Sequence, residues 1–175
     1  MPMSGAGGHQ SNSTSVSGGV TVTRNEVTSL TNIDSPCGGA GAVLTPLGQL
    51  TALLPFKLLM PDAPDANRIN NSGAYLCSPT SAALTFRNGV SILMELNASA
   101  DPDLGAFVAG DSAEASLATV QGVDAAIIDP AKDPSGFASG SVTFVVGSLW
   151  VYVIGNHTLS ADSLLAIANS LAPVR

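Results

Sequence analysis

Few side chains in this chain could do chemistry near neutral pH. The histidines are His9 and His157, and the thiols are Cys37 and Cys77. Histidine is the side chain that ordinarily changes charge near neutrality. His9 sits among Gly, Ser, Asn and Thr, where a solvated residue is the expected reading. His157 precedes the last expected helix. A serine or cysteine hydrolase would have to use it, yet no nucleophile motif surrounds it. Gly136-Phe137-Ala138-Ser139-Gly140 places its serine one position too late for a nucleophile elbow. Gly39-Ala40-Gly41 lacks the third glycine, the Lys-Ser/Thr pair and the acidic partner of a nucleotide loop. Asp62, Asp65, Asp101 and Asp103 lie in Pro-containing stretches without the ligand spacing of a calcium loop. They read as solvated turns. Two thiols outside any CxxC pair cannot complete a zinc site. The sequence therefore predicts no catalytic residue, no metal and no cofactor.

The cysteines have two readings. One is a single Cys37–Cys77 disulfide in an exported protein, which suits a Ser/Thr-rich, Lys-poor chain. The other is a pair of buried thiols acting as small hydrophobes. Overall charge narrows the partners. Thirteen acidic against six basic residues give −7, and no Lys/Arg run exists. Nucleic acid and anionic membrane both call for a basic patch. No apolar stretch reaches the roughly 18 residues of a membrane span. Met1 to Gly8 lacks a charged-then-apolar leader, so no signal peptide is expected in that stretch. The expected location is extracytoplasmic or secreted.

The elements that would position any site are clearest at the end of the chain. Ser141 to Val146 and Leu149 to Ile154 are rich in β-branched and aromatic residues around Gly147-Ser148. A two-residue turn pairs Val146 with Leu149, Phe144 with Val151 and Val142 with Val153. Those six form an aliphatic core face. Trp150, Tyr152 and Ile154 share the other face with Ser141, Thr143 and Val145. Ser160 is an expected N-cap, with Asp162 in the first turn. Leu164, Leu165, Ile167, Ala168 and Leu171 recur at helical spacing up to Pro173. That helix should lie on the aliphatic face of the hairpin.

Upstream, residues 1–19 read as a flexible tail and 20–175 as one domain. A first strand is expected around 19–30. Thr45-Pro46 predicts the start of a short helix bearing Leu47, Leu50, Leu53 and Leu54, ended by Pro55. Phe56, Leu58 and Met60 suggest a strand, and Tyr75 to Cys77 another. Asn88-Gly89 predicts a two-residue hairpin within Ser81 to Leu96. In that register Leu84, Phe86 and Leu93 share one face, and Val90, Ile92 and Met94 share the other with Thr85 and Arg87. Neither face is cleanly polar. Such a hairpin is either covered on both sides or lines a cavity or interface. One helical turn is expected near Leu104, helix or strand at 113–119, and a strand over 120–128. The fold class is α+β: a curved antiparallel sheet with a C-terminal helix and one short helix on one face.

The Leu54-Pro55-Phe56-Lys57-Leu58 strand, the Val120-Gln121-Gly122-Val123-Asp124-Ala125 strand and the ending from Trp150 to Leu171 resemble a bacterial extracytoplasmic domain family of unknown function. Its members occur in secreted proteins, lipoproteins and the outer parts of membrane-anchored regulators. The resemblance spans about residues 50 to 172. It implies a fold akin to lipoprotein carriers, and no catalytic residues. The function expected is a non-enzymatic, exported binding domain using one sheet face, with a protein or an apolar ligand as partner. Val90, Ile92, Met94, Trp150 and Tyr152 are its candidate surface. The alternatives are a lipid carrier with a sheet-lined cavity and a hydrolase built around His157. The sequence leaves the oligomeric state open.

Overall fold

The C-terminal hairpin forms as its residues dictate. We describe the chain from a computed structural model covering residues 36–37, 41–62, 69–97, 104, 108, 115–132 and 139–174, with backbone alone at 69–72. In chain order the elements are β1 (Val43–Leu44), α1 (Leu47–Leu53), β2 (Leu59–Pro61), β3 (Ile69–Ser78), β4 (Ser81–Phe86), β5 (Ser91–Leu96), β6 (Ala115–Val120), β7 (Val123–Ile128), β8 (Ser141–Val146), β9 (Leu149–Ile154), α2 (Ala161–Asn169) and β10 (Leu171–Pro173). A 3-10 turn at Pro130–Lys132 follows β7. The expected tail over 1–19 and strand over 19–30 lie outside the described residues.

Eight strands make one antiparallel sheet in the order β1-β3-β4-β5-β9-β8-β7-β6. The first hairpin to be read, β8–β9, lies near its middle. Val146 pairs with Leu149, Phe144 with Val151 and Val142 with Val153, as the two-residue turn requires. Gly147 takes a φ of 62°, the geometry glycine supplies at the first position of a II′ turn. Phe144, Val142, Val151 and Val153 are buried, and Leu164 and Ala168 of α2 join them in one apolar cluster. Leu50 of α1 belongs to the same cluster. Both labelled helices therefore cover one side of the sheet. The fold is α+β and dominated by its sheet.

Helix α2 begins as its sequence prescribes. The Ser160 hydroxyl accepts from the Ser163 N–H at 3.2 Å, relieving one of the unpaired donors of the first turn. Leu164 reaches the sheet because two glycines leave it room. A Cβ on Gly140 or on Gly155 would come within 2.8 Å of a Leu164 methyl. Gly155 also donates to the Gly140 carbonyl at 2.9 Å. The helix ends at Asn169, before Pro173 is reached. Leu171 to Pro173 instead pair antiparallel with Pro61, Met60 and Leu59. Pro173 closes a short strand here, and Leu171 is buried from that strand rather than from the helix.

Three other expectations change. The Thr45 hydroxyl donates to the Val43 carbonyl at 2.9 Å and does not cap α1. Pro46 occupies the N-cap position, and its carbonyl accepts from Gln49 and Leu50. Leu50 and Leu54 are buried, but Leu53 stands 58% exposed, since a helix this short turns only one row inward. The segment 120–125 is not one strand. Val120 pairs with Val123 across Gln121-Gly122, which take φ of 52° and 85°. That is the I′ pattern of a tight hairpin.

The largest change is at β4–β5. Thr85 pairs with Ser91, Leu84 with Ile92 and Ala82 with Met94. The loop is Arg87-Asn88-Gly89, not Asn88-Gly89 alone. Phe86 and Val90 bracket it, with the Phe86 N–H on the Val90 carbonyl at 2.9 Å. Asn88 spends its side chain locally, Oδ1 accepting from the Val90 N–H at 3.2 Å. Gly89 alone in the loop takes positive φ, at 81°, as in a type I turn closed by a glycine bulge. One extra loop residue moves every β5 side chain to the opposite face from the one expected.

Candidate functional site

The corrected register sorts the sheet into two dissimilar sides. On the helix-covered side, Ala82, Leu84, Phe86, Val90, Ile92 and Met94 are all buried in the main apolar cluster. The Met94 sulfur accepts the Leu59 N–H at 3.3 Å, so this strand meets the β2 segment. Val90, Ile92 and Met94, expected as part of a partner surface, are core residues at 2%, 0% and 0% exposure. The mixed face that suggested a cavity does not exist in this register.

The opposite side carries the remaining candidates. Trp150 and Tyr152 lie on β9, half-buried, with ring centroids 6.0 Å apart and planes 18° from parallel. They are two residues apart on one strand, so the pleat points both rings the same way. Neighbouring strands complete the surroundings. Trp150 pairs with Val145 of β8 and Glu95 of β5, and Tyr152 with Thr143 and Leu93. Leu93 and Thr143 are buried, Val145 is half-buried and Glu95 is exposed. Towards β6 this side continues through Ala126 to Leu117, which is 56% exposed. Among its described strand residues the charged ones are Glu95 and Asp124. This side is therefore apolar and aromatic with hydroxyls among it and an acidic margin, and much of it is buried: Ala83, Leu93, Ala126, Thr143 and Ile154 are none of them more than 9% exposed.

One polar atom in this site lacks a partner. The Trp150 indole nitrogen is shielded from solvent and makes no hydrogen bond. Leaving such a donor unpaired costs about 1–3 kcal/mol. Nothing in the sequence signalled this, because satisfaction of a donor depends on neighbours far along the chain.

Of the residues considered for catalysis or metal binding, His157 and Asp62 lie within the described residues, and Asp65, Asp101 and Asp103 lie outside them. His157 lies exposed in the turn between Asn156 and Leu159. Asn156, beside it, uses its side-chain oxygen to accept from the Thr158 N–H and hydroxyl. Among the described residues no group of three or more His, Cys, Asp or Glu side chains is placed to hold a metal. His9 lies outside the described residues. Cys37 and Cys77 are joined, with sulfurs 1.99 Å apart and a sequence separation of 40. Closing a loop of that length contributes roughly 3–4 kcal/mol in a chain-entropy picture. Such a bond fits an oxidising compartment. Among the described residues no helix is long and apolar enough to cross a membrane.

One further residue holds the sheet to its helix. Gln121, at the β6–β7 turn, donates its side-chain N–H groups to the carbonyls of Leu171 at 2.8 Å and Asn169 at 3.2 Å. Its own backbone N–H goes to the Asn169 side chain at 3.0 Å. The end of α2 thereby gains donors for carbonyls that lack helical partners. This was not legible in the sequence, since the two segments lie 48 residues apart.

Comparisons with protein-family models, with curated proteins and with solved structures give no match for this chain.

Proposed function

We propose that this chain is a non-enzymatic, exported binding domain that engages a protein partner or an apolar ligand through the sheet side bearing Trp150 and Tyr152. One observation carries the reading. A stacked aromatic pair sits half-buried near the middle of an eight-stranded sheet, on the side away from α1 and α2. Half-buried aromatics offer much contact area for little lost side-chain freedom, and they recur where binding energy concentrates. The unpaired indole N–H adds to this. A small shift that brought an acceptor to it would be favoured by about 1–3 kcal/mol. The exported location rests on the joined cysteines and on the resemblance to bacterial extracytoplasmic domains. Among the described residues neither a carrier nor a hydrolase has a comparable feature to draw on.

Trp150 is the sole tryptophan of the chain, so its fluorescence reports this one place. The test is native mass spectrometry of the protein expressed in an oxidising compartment, followed by Trp150 emission as the co-purified molecule is stripped and returned. A bound molecule should shift the emission on return. Its retention should drop at least tenfold in Tyr152→Ser. Retention unchanged in Tyr152→Ser and Trp150→Ser, with both variants folded, would remove the site from this side of the sheet.

A further inference from the structure

The two ends of the large sheet are finished differently. At one end β1 is two residues long and gives way at Thr45-Pro46 to α1. Short edge strands and nearby proline are devices that keep a sheet from recruiting another strand. At the other end β6 keeps unbroken register with β7 over six residues. Its sequence, Ala115-Ser116-Leu117-Ala118-Thr119-Val120, holds no charge and no proline. None of the described strands pairs with its outer side. Among the described residues none of the usual protections is present.

The hairpin fixes what that edge offers. Val120 and Val123 close a two-residue turn. In such a hairpin the closing pair exchanges hydrogen bonds, and bonded and unbonded positions then alternate. Val120, Ala118 and Ser116 therefore direct their N–H and C=O groups to β7. Ala115, Leu117 and Thr119 direct theirs outward. The Gln121 contacts to the end of α2 hold the tip of this hairpin, so the edge is presented on a fixed support.

We propose that β6 is the joint between two copies of this chain, paired antiparallel about Leu117. Leu117 then exchanges both main-chain bonds with Leu117 of the partner subunit, and Ala115 pairs with Thr119 of the partner subunit. The ladder comes to about six hydrogen bonds. A two-fold joint requires a surface that complements itself. An uncharged strand meets that requirement, because it sets no like charges opposite one another. The point matters in a chain of net charge −7, whose copies repel wherever carboxylates approach. Leu117, 56% exposed at the centre of the strand, supplies the apolar contact across the axis. This joint does not depend on the binding role given to Trp150 and Tyr152.

The test is sedimentation equilibrium of the full, oxidised chain from about 10 µM to 1 mM, a range set by the small area of an edge contact. The expected result is a concentration-dependent species of twice the 17.5 kDa chain mass. Leu117→Lys should raise the dissociation constant at least tenfold without lowering the melting temperature, and Thr119→Lys should do the same. Val43→Lys, at the other edge, should leave it unchanged. In the wild type the Leu117 and Thr119 amides should gain exchange protection only at high concentration. A monomer across the whole range overturns the proposal, as does a dimer that both β6 lysine variants leave intact.

Discussion

The hairpins β4–β5 and β8–β9 lie side by side in the sheet, joined through β5 and β9. Each has a glycine in its turn and apolar residues on both strands. Their turns obey different rules. At β8–β9 the glycine comes first, at φ 62°, and the loop is two residues long. At β4–β5 the glycine comes third, at φ 81°, after an asparagine whose side chain holds the Val90 N–H. Asn-Gly favours a two-residue turn when asparagine takes positive φ. Here asparagine bonds locally instead, and glycine alone turns the chain. The pairing shifts by one residue, and an apparent two-sided hairpin becomes one with a wholly apolar face. A dipeptide can thus announce a turn without fixing its length, and length is what decides which side chains are buried.

The severest way to break this comparison is to delete Val90. With the Arg87-Asn88-Gly89 loop kept, Ser91 would then face Phe86, and Ser91, Leu93 and Glu95 of β5 would turn inward in place of Ile92 and Met94. Cooperative unfolding should be lost, as read by a thermal melt followed by circular dichroism. A native-like melt would show that the register is not set by this loop. A milder contrast compares the glycines themselves. Gly89→Ala meets both positive φ and the Asn156 side chain, which a Cβ would strike. Gly147→Ala meets positive φ with open space around it. About 1–2 kcal/mol is expected for Gly147→Ala, and at least about 1 kcal/mol more for Gly89→Ala. Equal losses in urea denaturation would argue against the Asn156 contact. The third hairpin sharpens the picture at the smallest scale. Gln121→Ala removes the side-chain bonds to Asn169 and Leu171 while leaving the turn in place. A loss of about 1 kcal/mol is expected, with faster amide exchange confined to the end of α2 and β10.

What the sequence made legible follows from how local each signal is. The β8–β9 register, the Ser160 cap and the separation of Phe144 from Trp150 rest on residues a few positions apart. Those features stand in the structure as read. The α+β class was legible too, because hairpins outnumber isolated helices. Features that depend on distant neighbours were not. Leu171 to Pro173 look like a helix end until Leu59 to Pro61 are there to pair with them. The Gln121-Gly122 turn hid inside an apparent strand because glutamine seldom takes positive φ. It does so here with three carbonyls from around the end of α2 within its reach. Of the candidate surface, Trp150 and Tyr152 followed from a correctly read hairpin. Val90, Ile92 and Met94 inherited the error of a misread one.

The bond between Cys37 and Cys77 spans β1, α1, β2 and most of β3. A protease that nicks the backbone anywhere in that interval does not release the front of the molecule. The two pieces stay covalently tethered, and they part only when a reductant follows the cut. In an oxidising medium, where reductants are scarce, the chain can be severed once in this stretch and still remain a single particle.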